Sequence, residues 1–302
     1  PNTSFYTLSL HDALPISMVS AMLAGCGSKN AETQSAADTT AESAVSGDET
    51  SADTQAADAE TTDAETTDAS KTDGTFTVGF DQDFPPRGFV GDDGEFTGFD
   101  LEMAAEVAKR LNLTIAYQPI AWDAKDMELD AGTIDCIWNG FTMNGREDDY
   151  EWSKPYMKNN QVFVVRGDSD INSEADLAGK NVEVQTDSSA EAALNDNSEL
   201  TSTFGSLTPV ADYNTAFMDL ESGAVDAIAM DDVVASYQIT SRKADFKVLD
   251  DVIAAEEYGI GFKKGNTGLR DKVQATLEEM AADGTAAKIS EKWFGKDITT
   301  IQ

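Results

Sequence analysis

From Thr75 onward the sequence alternates strand-like and helix-like segments, and that alternation limits the chain to an α/β fold. "TFTVGF" reads as a strand from its alternation and β-branched residues. "DDGEFTGF" reads as a turn into a second extended piece. "DLEMAAEVAKRLNL" puts Leu101, Ala104, Ala105, Ala108 and Leu111 on one stripe, which predicts a helix with Asp100 as its cap and Asn112 at its exit. "TIAYQPI" is strand again, "DAKDMELDAGT" a short helix ending at Gly132, and "IDCIWNGF" a buried strand. Strand-helix-strand order of this kind implies parallel pairing with helices on the faces.

After Arg166 the alternation restarts. "SEADLAGKNVEVQT" gives a helical turn and a strand, "SAEAALND" a helix, "TPVADY" an extended piece and "NTAFMDLESGAV" a helix. "DAIAMD" is a strand, "DVVASYQITS" a helix, "FKVLDD" and "EYGIGFKK" two more strands, and two helices close the chain. Two such units imply two lobes.

Upstream of Thr75 nothing can build a core. Residues 27–74 are almost entirely Ala, Thr, Ser, Asp and Glu, with twelve acids against two lysines and no aromatic, so this stretch is expected to be a disordered acidic linker. A coil of that length spans roughly 40 Å, and self-repulsion stretches it further. Residues 18–26, "MVSAMLAGC", look like the remnant of a lipoprotein signal peptide, and Leu23-Ala24-Gly25-Cys26 resembles a lipobox whose cysteine carries the lipid. Such a lipid with two or more acyl chains would anchor the protein to the outer, extracytoplasmic face of the cell membrane. Residues 1–17 lack an initiating Met and any Lys or Arg; they resemble translated adapter sequence and are expected to be foreign to the fold.

Charge and composition remove several function classes. With 21 basic residues against 56 acidic ones, the net charge of -35 argues against a nucleic-acid partner, which needs clustered Lys and Arg. The single histidine, His11, lies in the discarded segment, so neither a Ser-His-Asp triad nor a His-rich metal site belongs to the folded part. No cofactor or metal is called for. Cys26 and Cys136 make no disulfide framework, and Cys136, in a buried strand, reads as an inert core thiol.

Several motifs, in order, carry a resemblance from Thr75 to about Gly295. They are "VGFDQDFPP", "GEFTGFDLEMAAEVAKRL", "AWDAKDMELDAGTIDCIWNGFT" followed by Arg146, "WSKPY", "LAGKNVEVQTDSSAE", "LESGAVDAIAMDD" and "DGTAAKISEKWFG". In that order they resemble the solute-binding proteins of polar amino-acid ABC transporters, with the type II periplasmic-binding fold. The resemblance implies two doubly wound lobes, 75–163 plus 254–302 and 164–253, joined by hinge strands near Val162–Val165 and Tyr258–Phe262. It also implies a monomer that holds one amino acid in the cleft and hands it to permease subunits.

The same resemblance assigns the site. Arg146 matches the carboxylate-binding arginine, whose planar fork meets both oxygens at once. Asn139, Gly140 and Thr142 sit where backbone and hydroxyl partners are supplied, although "TMNGR" is one residue shorter than the common form, which bears on Thr142. Asp231 matches the partner of the ligand ammonium. Ser188 and Ser189, at a helix start, match the anion contacts of the second lobe. Phe84 and Trp122 match the rings that sandwich the ligand side chain. Asp81 matches the acceptor for a polar side chain, and Gln185 lines the other lobe; together they favour a ligand with side-chain donors. Bland alternatives remain: Arg146 paired with Glu147 or Asp148, the serines as helix caps, and the rings as core. Two other functions compete, a prephenate- or arogenate-type dehydratase using Asp81 as its acid or base, and a ligand-sensing module of a signalling system.

Overall fold

The computed structural model describes residues 74–302. His11, Cys26 and the expected linker up to Asp73 lie outside the described residues. The first strand, β1 (Thr75–Phe80), is followed by three short strands, β2 (Asp83–Phe84), β3 (Gly88–Val90) and β4 (Phe96–Thr97), and by α1 (Phe99–Arg110). Then come β5 (Thr114–Pro119), a 3-10 turn at Trp122–Ala124, α2 (Lys125–Ala131), β6 (Cys136–Thr142), β7 (Glu151–Trp152) and the long β8 (Met157–Arg166). The second alternating unit holds β9 (Asn181–Gln185), α3 (Ser189–Asp196), α4 (Ser198–Thr201), β10 (Ser206–Val210), α5 (Tyr213–Ser222), β11 (Ala227–Asp231) and α6 (Asp232–Arg242). β12 (Phe246–Phe262) returns the chain to the first unit, where α7 (Thr267–Ala282) and α8 (Thr285–Phe294) close it.

Pairing within each unit is parallel, as alternation requires: β1 with β5 and β6, and β9 with β10 and β11. β8 and β12 are the exceptions. β8 pairs antiparallel with β11, and β12 pairs antiparallel with β8, β6 and β7. These two strands therefore splice two lobes into one strand order, β10-β9-β11-β8-β12-β6-β1-β5. Where the sequence suggests two strands in "FKVLDD" and "EYGIGFKK", the structure has one strand of 17 residues. Register shifts between Val248 and Ala254 bend it, so one strand serves both lobes.

Each lobe has its own apolar core. In the first, Phe76, Val78, Phe80, Trp138 and Ile260 meet Leu101, Ala104 and Ala108 of α1. The predicted stripe is shifted: Met103 and Val107 are fully buried, whereas Ala105 and Leu111 are half-buried. α1 is covered by the sheet on one side and by α7 and α8 on others, so its buried face is wider than one stripe. In the second lobe Phe217, Leu220, Ile228 and Val234 form one core on one side of the sheet, and Val182, Val184, Leu177 and Leu194 another.

The exits of α1 and α2 follow local chemistry, and the start of α1 does not. Asn112 takes positive φ after α1, and Gly132 after α2, as helix exits favour. Asp100 does not cap α1. Gly98 occupies the cap position without a side-chain bond, and Asp100 lies one residue inside the helix, with its carboxylate turned into the core. There Oδ2 accepts from the Gly140 amide at 2.7 Å and from the Tyr156 hydroxyl at 3.1 Å. Buried donors elsewhere outcompete the local cap. Cys136 is fully buried, and burial pushes its thiol well above the usual range, which suits the inert role expected of it.

Candidate functional site

Asp81, Phe84, Trp122, Asn139, Gly140, Thr142 and Arg146 of the first lobe face Gln185, Ser188, Ser189 and Asp231 of the second around one narrow cleft. All eleven residues expected at the site line it. Topology explains the gathering: Asp81 follows β1, Gln185 and Asp231 end β9 and β11, and Ser188 and Ser189 open α3. Carboxyl ends of strands, together with the helix starts that follow them, meet where open α/β sheets hold ligands.

Arg146 sits in the turn after β6, half-buried, at the edge of this cleft. Its Nη1 donates to the Thr142 carbonyl at 3.4 Å and its Nη2 to the Asp187 carbonyl of the other lobe at 3.2 Å. The guanidinium lies 5.3 Å from the centre of the Phe141 ring. Among the described residues it forms no ion pair, and Glu147 and Asp148 point to solvent. The surface-pair alternative is therefore not what the fold adopts.

Asp231 is buried opposite. Its Oδ1 accepts from Asn159 Nδ2 at 2.9 Å and from the Tyr258 hydroxyl. Burial first, and the neighbouring Glu256 carboxylate second, raise its pKa well above the carboxylate range. α6 starts directly after it, yet Asp231 gives that helix no side-chain cap. Asp81 accepts from the Asp83 amide at 2.8 Å and, across the cleft, from Gln185 Nε2 at 2.7 Å. Burial pushes its carboxyl up to about 6.

The serines divide their work. Ser188 Oγ accepts from the Glu191 amide at 3.1 Å and caps α3, as the bland reading has it. Ser189 Oγ instead receives the Thr142 hydroxyl at 3.1 Å and Gln161 Nε2 at 3.0 Å. The shortened loop thus leaves Thr142 at the cleft. Gly140, at φ 60, spends its amide on Asp100 and has none to offer a ligand; a Cβ there would come 3.4 Å from Arg87 Nε and from the Tyr258 ring. Asn139 directs Oδ1 to the Asp81 amide at 3.0 Å. Phe84 stacks on Tyr213 of the second lobe with ring centres 5.9 Å apart, and Trp122 stands edge-on to Phe141 at 5.5 Å.

Four participants escaped the sequence reading. Arg87 is fully buried against the Tyr258, Phe99 and Phe294 rings, 4.0 Å from Asp100. Its signal was available, since it is the only basic residue between Thr75 and Ala108. Lys125 has no such signal; its acidic surroundings read as a solvated helix. In the fold its ammonium is buried, 5.3 Å from the Trp122 ring, and pairs with Asp187 across the cleft. Asp187, at φ 58, turns its carbonyl to Arg146 and its carboxylate to Lys125, tying the lobes together. Glu256, on β12, is the fourth.

The buried acids set a pH dependence. Burial pushes Asp100 up to about 6 despite Arg87, Glu183 up to about 7 with Asp219 adding to it, and Asp81 up to about 6. A raised folded pKa means that the folded chain holds its protons more tightly than the unfolded chain. That contribution is complete below the ordinary carboxylate range and is lost as pH rises through the folded values. Asp283, held down to about 2 by Thr285 and Arg110, acts oppositely and matters only below about pH 4. Thermal melting of the protein without ligand should therefore fall steadily from about pH 4.5 to 7.5. A melting temperature that climbed over this range would contradict the burial of these groups.

Known proteins can be set beside this geometry. Residues 76–296 match the bacterial extracellular solute-binding proteins, family 3. The chain is 34% identical over 228 residues to the L-cystine-binding protein TcyJ of Escherichia coli (strain K12), covering 74% of this chain and 84% of that protein. A substrate-binding protein of an ABC uptake transporter from Streptococcus pneumoniae, solved with bound histidine, superposes with a TM-score of 0.73 at 34% identity, over 75% of this chain and 95% of that one. An ancestral arginine-binding protein bound to arginine gives a TM-score of 0.68 at 36% identity, over 74% and 99% of the two chains. Each is described by the amino acid it binds rather than by a conversion, and the architecture is the two-lobed type II periplasmic-binding fold. On the matched span, the identity and the shared fold, the chain belongs to the bacterial extracellular solute-binding proteins of family 3.

Proposed function

We propose that this protein captures one free amino acid between its lobes and delivers it to the permease of an ABC transporter. One observation carries the reading: Arg146 from the first lobe and Asp231 from the second border the same cleft. An amino acid shut away from water needs both its carboxylate and its ammonium paired, because unpaired buried charges are costly. Arg146 takes the carboxylate, with Thr142 and Ser189 beside it; Asp231 takes the ammonium. Asp81 receives a donor from the ligand side chain, displacing or sharing Gln185, while Phe84 and Trp122 flank that side chain. A polar side chain with donors fits this set.

The lobes divide at 75–163 plus 254–302 and 164–253, with β8 and β12 as the hinge. Ligand groups touch both lobes only when the cleft is shut, so binding favours the closed state that the permease reads. The protein works as a monomer, tethered outside the cell membrane through a lipid on Cys26 and the acidic linker.

A thermal-shift screen of the twenty amino acids and L-cystine tests this. A ligand at a hundred times its Kd stabilises the fold by about 2.7 kcal/mol. Failure of every one of them to raise the melting temperature would reject the reading.

A further inference from the structure

Glu256 is buried on β12 opposite Asn159 of β8, with no ion pair among the described residues. Asn159 Nδ2 donates to Glu256 Oε1 at 2.6 Å and to Asp231 Oδ1 at 2.9 Å, so one amide nitrogen bridges two buried carboxylates. Gln161 Nε2 adds a second donor to Glu256 Oε1 at 2.8 Å and reaches Ser189 at the cleft. Glu256 thus receives two amide donors, whereas Asp231 has the Tyr258 hydroxyl and a share of Asn159. Two like charges this close in a water-poor setting repel strongly, and a proton on one of them removes the repulsion.

We propose that Glu256 is a positioning residue that keeps a proton on Asp231 until the ligand arrives, so that capture of an amino acid expels that proton to solvent. The inference rests on the reading that Asp231 receives the ligand ammonium. The ammonium brings the positive charge that the proton had supplied, the O–H bond of the Asp231 carboxyl breaks, and the proton passes to buffer.

The surroundings agree with this charge balance. Facing Asp231 are Tyr258 and Glu256 of β12, Asn159 and Gln161 of β8, and Tyr213 of α5, whose hydroxyl donates to the Ala229 carbonyl. Asp232 begins α6 and takes Asn160 at 3.0 Å; Lys158 is exposed, and Glu183 of β9 lies beside Asp219. Arg87 is a cation that acts on Asp231, and Asp100 already engages it at 4.0 Å. Burial and Glu256 together outweigh it and lift the Asp231 carboxyl.

Isothermal titration at pH 7 in phosphate and in Tris, whose ionisation enthalpies differ widely, reads the proton directly. L-arginine and L-glutamine are the probes, chosen because neither side chain titrates near that pH. Native protein should release about one proton per ligand bound. Glu256→Gln keeps the acceptor for Asn159 and Gln161; it should still bind, with the release cut at least threefold. As a second measure that needs no variant, affinity should strengthen up to about tenfold per pH unit between pH 6.5 and 7.5. Asp81 contributes mainly at the lower end of that range, near 6. Binding with heats independent of buffer, or equal release from Glu256→Gln, overturns the inference and leaves amino-acid capture standing. If neither these probes nor any other of the amino acids screened binds, both fall together.

Discussion

Arg146→Ala is expected to weaken amino-acid binding by about 2–5 kcal/mol, roughly thirtyfold or more, while the protein keeps its fold. The affinity loss is large because the ligand carboxylate would stay shut in the cleft with its main counter-charge gone. The fold survives because the side chain is only half-buried and its two bonds go to main-chain carbonyls, of Thr142 and Asp187. Arg146→Lys should recover part of the loss, since it restores charge but not the fork that meets two oxygens at once. Titration calorimetry on the three proteins decides the matter, and equal affinities would remove Arg146 from the site.

Asp100→Ala acts on stability instead. It strips the carboxylate from beside Arg87, whose side chain is fully buried and finds no hydrogen-bond partner among the described residues. It also removes the acceptor shared by the Gly140 amide and the Tyr156 hydroxyl, leaving the amide only its 3.2 Å bond to the Tyr156 oxygen. Breaking a buried pair from one side typically costs about 3–5 kcal/mol. Denaturant unfolding should show a loss of that order. Arg87→Met combined with Asp100→Asn should lose less than Asp100→Ala alone, because no uncompensated charge remains inside. A loss below about 1 kcal/mol for Asp100→Ala would mean that Arg87 is not the buried cation described.

The second of these residues shows where sequence reasoning misleads. Asp100 before an apolar stripe is a natural helix cap, and its actual work is done forty positions away, on the Gly140 amide. Arg146 shows the reverse. Its neighbours Glu147 and Asp148 offer an obvious surface pair, yet the order of motifs around it pointed to the cleft, and there it lies. The strands "FKVLDD" and "EYGIGFKK" were each legible from their residues; that they form one bent strand through both lobes was not, because register shifts leave no periodic mark.

What the sequence determined by itself was the α/β class and the two alternating units, because hydrophobic period is a local property of the chain; the eleven residues that surround one cleft followed from the family resemblance that the motif order carries. Tertiary structure alone decided that Arg87 and Lys125 would be buried cations, that Asp187 would bind both Lys125 and Arg146, and that Glu256 would stand beside Asp231. These contacts join residues far apart in the chain, and the energy of a charge depends on the solvent it loses and the partners it meets. Neither exists until the chain has folded, within the first lobe for Arg87 and across the cleft for Lys125, Arg146 and Asp187.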